Sequence, residues 1–213
     1  MSTAATITVA VTILLAGAGY LATYASSRVL AQRAARLERI NKQLSELYGP
    51  LLADLESGNA AWQVFQEIAK RSGPMFWDIG AAPNPDQTAL WQLWITTVFQ
   101  PTNRQMTECI KTHAALLIED DMPACLIRLA ANTAAYDVLA SRWGDPDFTP
   151  TRPEDLVAPD QYTFPRGELE TYARSSFQRL KADQQDLLGK LSRGGPAGSL
   201  GKLIGQRART RRS

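Results

Sequence analysis

The residues in this chain with the side chains best suited to chemistry are two cysteines, one histidine and a run of three acids. Cys109 and His113 stand four positions apart, which places them on one face of a helix. Cys125 follows soon after, beyond the acids at positions 119–121. These side chains could supply four zinc ligands, or a cysteine nucleophile with a histidine base. Both hypotheses compete with a structural one, because the two cysteines fall in apolar stripes that are typical of core packing.

The structural interpretation is favoured for each of these residues. A lone histidine excludes a di-iron bundle, which needs two Glu-x-x-His motifs. Asp121 is expected to cap a helix, and the neighbouring acids suit the positive end of that helix. The glycines at 194–198 lack the Lys-Ser/Thr pair of a phosphate-binding loop. The sequence therefore predicts no catalytic residue, no cofactor and no metal site.

The chain also carries five tryptophans, which could line a ligand pocket or fill a core. Large aromatic side chains in a helical domain are more often core residues, so core packing is favoured. The tryptophans are Trp62, Trp77, Trp91, Trp94 and Trp143.

Helical periodicity predicts the elements that must position these residues. Apolar residues recur at helical spacing over about 50–71, 86–120, 121–143 and 166–192. Asp86 is the expected N-cap of the second of these helices. Pro101 should kink or divide that helix, because proline lacks the backbone N–H of the helical ladder.

Residues 145–165 contain five prolines and read as an extended connection. No stretch alternates with the two-residue period of a strand. The predicted fold is all-α: an N-terminal transmembrane helix followed by an irregular bundle of about five helices.

The first 27 residues contain no charged side chain, and about 20 apolar residues suffice for a membrane-spanning helix. A cleaved signal peptide is the competing interpretation, but no basic residue precedes the apolar run. The sequence divides into a transmembrane anchor (1–27), a juxtamembrane helical neck (28–49), a cytoplasmic helical domain (50–192) and a disordered basic tail (193–213).

Charge is unevenly distributed along the chain. The net charge is +2, but residues 28–42 carry +4 and residues 193–213 carry +6, which leaves −8 for residues 43–192. Basic residues flank only the C-terminal side of the anchor, so the positive-inside rule places the main domain in the cytoplasm and the N-terminus outside. The predicted contacts with anionic lipid are Arg28, Arg33, Arg36, Arg39, Lys42, Arg207, Arg209, Arg211 and Arg212. Nucleic acid is a less favoured partner, because no aromatic residue interleaves the basic tail.

One motif in the neck carries a family resemblance. It reads Asn41-x-x-Leu44-x-x-Leu47-Tyr48-x-Pro50-Leu51. This pattern resembles one found in uncharacterised bacterial single-pass membrane proteins. The resemblance implies a membrane-anchored helical domain, and it implies no particular activity. The predicted location is the bacterial inner membrane.

Taken together, the sequence favours an interaction or scaffold protein that is bound to membrane lipid and to an unidentified protein partner. A small-ligand-binding or enzymatic domain using the Cys109/His113 region is the alternative. A membrane-acting stress or defence effector is a third hypothesis. It would need a homo-oligomer, for which the small residues spaced by four in the anchor offer a helix-packing face.

Overall fold

The computed structural model describes residues 3–72 and 84–194, without the side chains of residues 3–16, 18, 22, 72, 162, 193 and 194. Every regular element in this part of the chain is helical, which confirms the all-α prediction. The α-helices are α1 (Thr3–Lys42), α2 (Gly49–Ala69), α3 (Pro85–Trp94), α4 (Gln100–Thr112), α5 (Ala124–Trp143) and α6 (Arg166–Gly194).

No helix in the described ranges has both the length and the apolar character needed to cross a bilayer. These helices therefore give no support to the transmembrane part of the fold prediction. Of the predicted anchor, the side chains of residues 1–16 lie outside the described set. Trp77 and the basic tail from residue 195 onward lie outside the described residues as well.

The chain forms two compact units. One comprises the described residues of 1–41 and 181–213, and the other comprises the described residues of 42–180. Within the first unit, the Arg36 guanidinium lies 3.3 Å from the Asp183 carboxylate. Close by in sequence, Gln184 Nε2 donates to Asn41 Oδ1 over 2.6 Å. Both contacts are exposed pairs of the kind that contribute little to stability individually.

The second unit has an aliphatic core. Apart from Leu156 in the proline-rich connection, it is built from helical positions, and residues three or four apart on a helix share one face. Burial of each such side chain stabilises the fold by about 1.5–3 kcal/mol. Its most deeply buried aliphatic members are Leu47, Leu51, Leu55, Met106, Leu126, Leu129, Leu156 and Leu169.

The first helical joint in this unit is a π-helical turn, Gln43–Tyr48, placed directly before Gly49 and Pro50. The Gly49 N–H bonds to the carbonyl five residues back, at Leu44. A Cβ on Gly49 would overlap that same backbone oxygen, closer than atoms can pack. Glycine is therefore required here by a close approach of the backbone to itself.

A second π-helical turn, Ile95–Phe99, precedes Pro101 in the same way. The Gln100 N–H bonds to the Ile95 carbonyl, again five residues back. The widened turn thus carries the helical backbone past a proline that cannot donate. Pro101 divides α3 from α4 as predicted, but the chain stays helical through the division.

Three helix ends differ from the sequence expectation. Asn84, rather than Asp86, caps α3: its Oδ1 accepts the Gln87 N–H at 2.8 Å. Asp121 does not cap α5, because Pro123 occupies the N-cap position with a non-helical ψ of 138° and no side chain bonds there. The long second helix predicted over 86–120 also ends early, at the last residue of α4.

The proline-rich connection is held against the helices by indole donors. Trp91 Nε1 donates to the Leu156 carbonyl and Trp143 Nε1 to the Asp155 carbonyl, each over 2.8 Å. Short 3₁₀ turns at Pro153–Asp155 and Asp160–Tyr162 shape this connection. These two backbone carbonyls therefore find partners inside the domain, as buried polar groups must.

Candidate functional site

The thiol that the sequence singles out takes part in the first helical joint. Cys109 Sγ lies 3.4 Å from the Glu46 carbonyl oxygen. In an unbroken α-helix that carbonyl would accept the N–H of the residue four positions on, which here is Pro50. The S–H therefore supplies a weak donor to a carbonyl to which Pro50 cannot donate.

The role of His113 is structural: it forms hydrogen bonds at the C-terminal end of α4. Its Nδ1 lies 3.1 Å from the Cys109 carbonyl oxygen, so Nδ1 carries the proton and donates. The His113 backbone N–H bonds to the same carbonyl at 3.0 Å. The histidine thus satisfies a helix-terminal carbonyl instead of pairing with the Cys109 thiol.

The surroundings of the two cysteines oppose thiolate chemistry. Burial, together with the charge of Asp54, raises the pKa of Cys109. Burial also raises the pKa of Cys125. Nucleophiles and metal ligands react as the thiolate, which a raised pKa disfavours. In the described ranges, no three His, Cys, Asp or Glu side chains group closely enough to hold a metal ion.

The acid at position 119 completes a hydrogen-bonded chain of two tyrosines. Tyr172 Oη donates to Glu119 Oε2 over 2.9 Å and lies 3.0 Å from Tyr48 Oη. Since Tyr172 has a single proton, Tyr48 donates to it, and Tyr48 in turn accepts the Ile118 N–H at 3.0 Å. Burial raises the pKa of both tyrosines, so both hydroxyls stay protonated and the chain stays intact.

Of the predicted lipid contacts in the neck, all but Arg33 are exposed; they are Arg28, Arg36, Arg39 and Lys42. Arg36 faces Asp183, as described above. The predicted contacts in the tail, Arg207, Arg209, Arg211 and Arg212, lie outside the described residues.

An exposed apolar column precedes these basic residues on α1, and sequence reasoning missed it. Tyr20, Leu21 and Tyr24 are 71%, 65% and 47% exposed. The two tyrosine rings stack with centroids 6.5 Å apart. The Arg28 guanidinium lies 5.0 Å from the centroid of the Tyr24 ring. The four-residue spacing of Tyr20, Tyr24 and Arg28 was the available signal.

An aromatic cluster fills one end of the second unit around Phe65 and Trp91, which are both buried. Trp62 packs on Phe65 at 5.3 Å between ring centroids, and Trp91 lies 5.5 Å from the same ring. Trp94 and Trp143 pack against the cluster from outside. The tryptophans within the described ranges are therefore core residues, although two of them have a second role.

That second role is to line a cavity of about 90 Å³, named the Arg166 cavity below. Its apolar wall is formed by Leu55, Trp62, Trp91, Ile95, Phe99, Met106, Tyr136 and Phe164, and its polar groups by Asn59, Thr102, Asn103, Asn132 and Arg166. Asn132 is only 1% exposed, so an amide lies deep in a mainly apolar site. Asn59, Trp62 and Arg166 are half-buried, which leaves this side open to solvent.

Arg166 is the most unusual group in this cavity. Its guanidinium lies 4.7 Å from the centroid of the Trp62 ring. Burial lowers the pKa of Arg166, and the charge of Glu170 opposes this effect. Glu170 itself accepts a hydrogen bond from Arg174 at 3.0 Å. Within the described ranges, no carboxylate lies at ion-pair distance from the Arg166 guanidinium.

Sequence reasoning did not select Arg166, although one signal was present. It is the first residue of α6, where the helix dipole favours acids and disfavours cations. A cation at this position works against helix stability, which is typical of a residue retained for another reason.

Comparisons of the chain with protein families, with curated proteins and with solved structures give no match. The function must therefore be argued from the residues themselves.

Proposed function

We propose that this chain is an interaction or scaffold protein held by residues 1–27 at the inner membrane of a bacterium. The main helical domain faces the cytoplasm, and the N-terminus faces outward. The anchor keeps a bound protein partner near the membrane, which raises its effective concentration there.

The observation that supports this proposal is the exposed column of Tyr20, Leu21 and Tyr24, followed by Arg28. Large apolar side chains exposed together on one helix are unfavourable in water. Tyrosine rings followed by arginine suit the boundary between the hydrocarbon and the lipid headgroups. The column lies at the end of an uncharged run, where an anchor would leave the bilayer.

Membrane fractionation tests the anchor. The full chain, expressed in a bacterium, should stay in the membrane pellet after alkaline carbonate washing. The double substitution Leu14→Arg and Leu15→Arg should move it to the supernatant, because each central arginine opposes insertion by about 2.5–3.5 kcal/mol. Leu188→Arg, at an exposed position of α6, is the matched control and should stay in the pellet. Release of the unmodified chain by carbonate would refute the anchor.

Binding to vesicles tests the basic ends separately. A variant in which Arg207, Arg209, Arg211 and Arg212 are changed to glutamine should bind anionic vesicles more weakly than the parent chain. The difference should shrink as salt rises, because each charge contributes about 1 kcal/mol near the lipid and is screened by ions. Equal binding of the two chains at low salt would show that the tail does not contact lipid.

A further inference from the structure

We propose that the Arg166 cavity binds a small organic acid with a short apolar chain, its carboxylate paired with Arg166 and its chain placed among the aromatic rings. This site goes beyond the proposed scaffold role and does not depend on the anchor.

The first argument is charge. Burying a cation without a counter-ion is unfavourable, and such groups in proteins are usually paired. Arg166 is half-buried and lies over Trp62. Glu168, the next acid on its helix, pairs with Arg128, and Glu170, one turn further on, is already bonded to Arg174. A guanidinium presents a planar fork of donors that matches a carboxylate in two parallel hydrogen bonds. A carboxylate on a ligand is thus the best-fitting counter-ion for Arg166.

The second argument is the contrast between this one charge and the rest of the lining. Trp62, Trp91, Phe99 and Met106 present carbon surface to the cavity. Ligand sites are characteristically apolar with a few polar groups that fix orientation. A highly polar anion such as inorganic phosphate would leave this wall without a matching surface. The lining therefore favours an acid that is apolar beyond its carboxylate.

The third argument is size. A volume of about 90 Å³ lies between the roughly 10–15 Å³ that one water needs and the roughly 150 Å³ of a cavity that holds benzene. This space accommodates a chain of a few carbon atoms. Butyrate is therefore a suitable probe, and butyramide is its neutral counterpart of the same shape.

The experiment titrates the full chain in detergent with butyrate and with butyramide, following the fluorescence of Trp62 and Trp91 and the heat of binding. Butyrate should bind saturably, and butyramide should bind at least about tenfold more weakly, because it cannot form the charged pair. Arg166→Gln should weaken butyrate binding by a similar factor. Arg179→Gln removes an exposed arginine from the same helix and should leave the binding unchanged.

A steric variant keeps the test valid if Arg166→Gln fails to fold. Gly58 lies on the cavity wall, and a Cβ there would lie 3.8 Å from Thr102 Cγ2, an ordinary contact. Gly58→Leu should fill part of the cavity and abolish butyrate binding. Gly58→Ala should leave the thermal unfolding temperature of the chain unchanged. Equal binding of butyrate and butyramide, equal effects of the two arginine variants, or no saturable butyrate binding would each overturn the proposal.

Discussion

Two regions of the second unit carry side chains capable of chemistry, and they use them differently. Around the first π-helical turn, Cys109, His113 and Glu119 each bond to a group within the chain; we call these residues, with Tyr48 and Tyr172, the Cys109 region. In the Arg166 cavity, a half-buried guanidinium faces apolar walls. The residue types in a region indicate which chemistry its side chains could perform. Their hydrogen-bond and ion-pair partners indicate whether those side chains are already used within the fold. By this criterion the Cys109 region stabilises the fold and the cavity binds a ligand.

The largest effect on stability is expected from Gly49→Ala, at the joint to which the Cys109 region is bound. The added methyl would overlap the Leu44 carbonyl oxygen, and overpacking against the backbone costs about 3 kcal/mol. Chemical denaturation measures the free energy of unfolding. Gly189→Ala is the matched control, because nothing lies within 4 Å of its Cβ position; it should stabilise α6 slightly. A Gly49→Ala chain as stable as Gly189→Ala would show that the joint tolerates a side chain.

Removing the hydroxyl of Tyr48 should have the next largest effect. Tyr48→Phe leaves the Ile118 N–H without its acceptor and the Tyr172 oxygen without the donor from Tyr48, and an unsatisfied buried group costs about 1–3 kcal/mol. Tyr24→Phe changes an exposed ring and should be neutral under the same denaturation. If both variants unfold at the same denaturant concentration, the hydrogen-bonded chain does not stabilise the Cys109 region.

Substitution of Cys109 should lower the free energy of unfolding by less than substitution of Tyr48. Cys109→Ala removes the donor to the Glu46 carbonyl and should lower the free energy of unfolding by about 1 kcal/mol. Cys109→Ser keeps a donor at the same position and should recover part of that loss. A thiol acting as a nucleophile would give the opposite pattern: stability would be unchanged, and the cysteine would be alkylated rapidly at neutral pH.

The smallest effect is a dependence on alkaline pH. Tyr48 and Tyr172 have pKa values in the folded chain above the ordinary value of 10.0. Above about pH 10 the unfolded chain loses these protons while the folded chain keeps them, so stability falls as pH rises. The contribution of the two tyrosines to stability is fully present below about pH 10. Tyr172→Phe should therefore show a shallower decline between pH 9 and pH 11.5 than the parent chain, as measured by denaturation at each pH. Parallel curves would contradict the assignment.

Periodicity predicted the helices well, because most of them follow a regular apolar stripe. Leu126, Leu129 and Leu139 of α5 are all buried, as their spacing required. The two prolines at positions 50 and 101 also marked the joints correctly. The π-helical form of those joints was not predictable from periodicity, because it depends on which carbonyl each N–H reaches.

The cavity was out of reach of sequence reasoning for a different reason. Its lining comes from four stretches far apart in the chain, represented by Trp62, Phe99, Asn132 and Arg166. Spacing along one helix cannot show which faces of separate helices leave a gap between them. The position of Arg166 at a helix start was a usable clue, but only the packed structure places it over Trp62.

The most direct test of the contrast between the two regions measures unfolding free energy and butyrate affinity together in Cys109→Ala and Arg166→Gln. Cys109→Ala should lose about 1 kcal/mol of stability and keep the affinity of the parent chain. Arg166→Gln should keep its stability and bind butyrate at least about tenfold more weakly. The opposite result, with binding lost in Cys109→Ala at unchanged stability and retained in Arg166→Gln, would contradict the account.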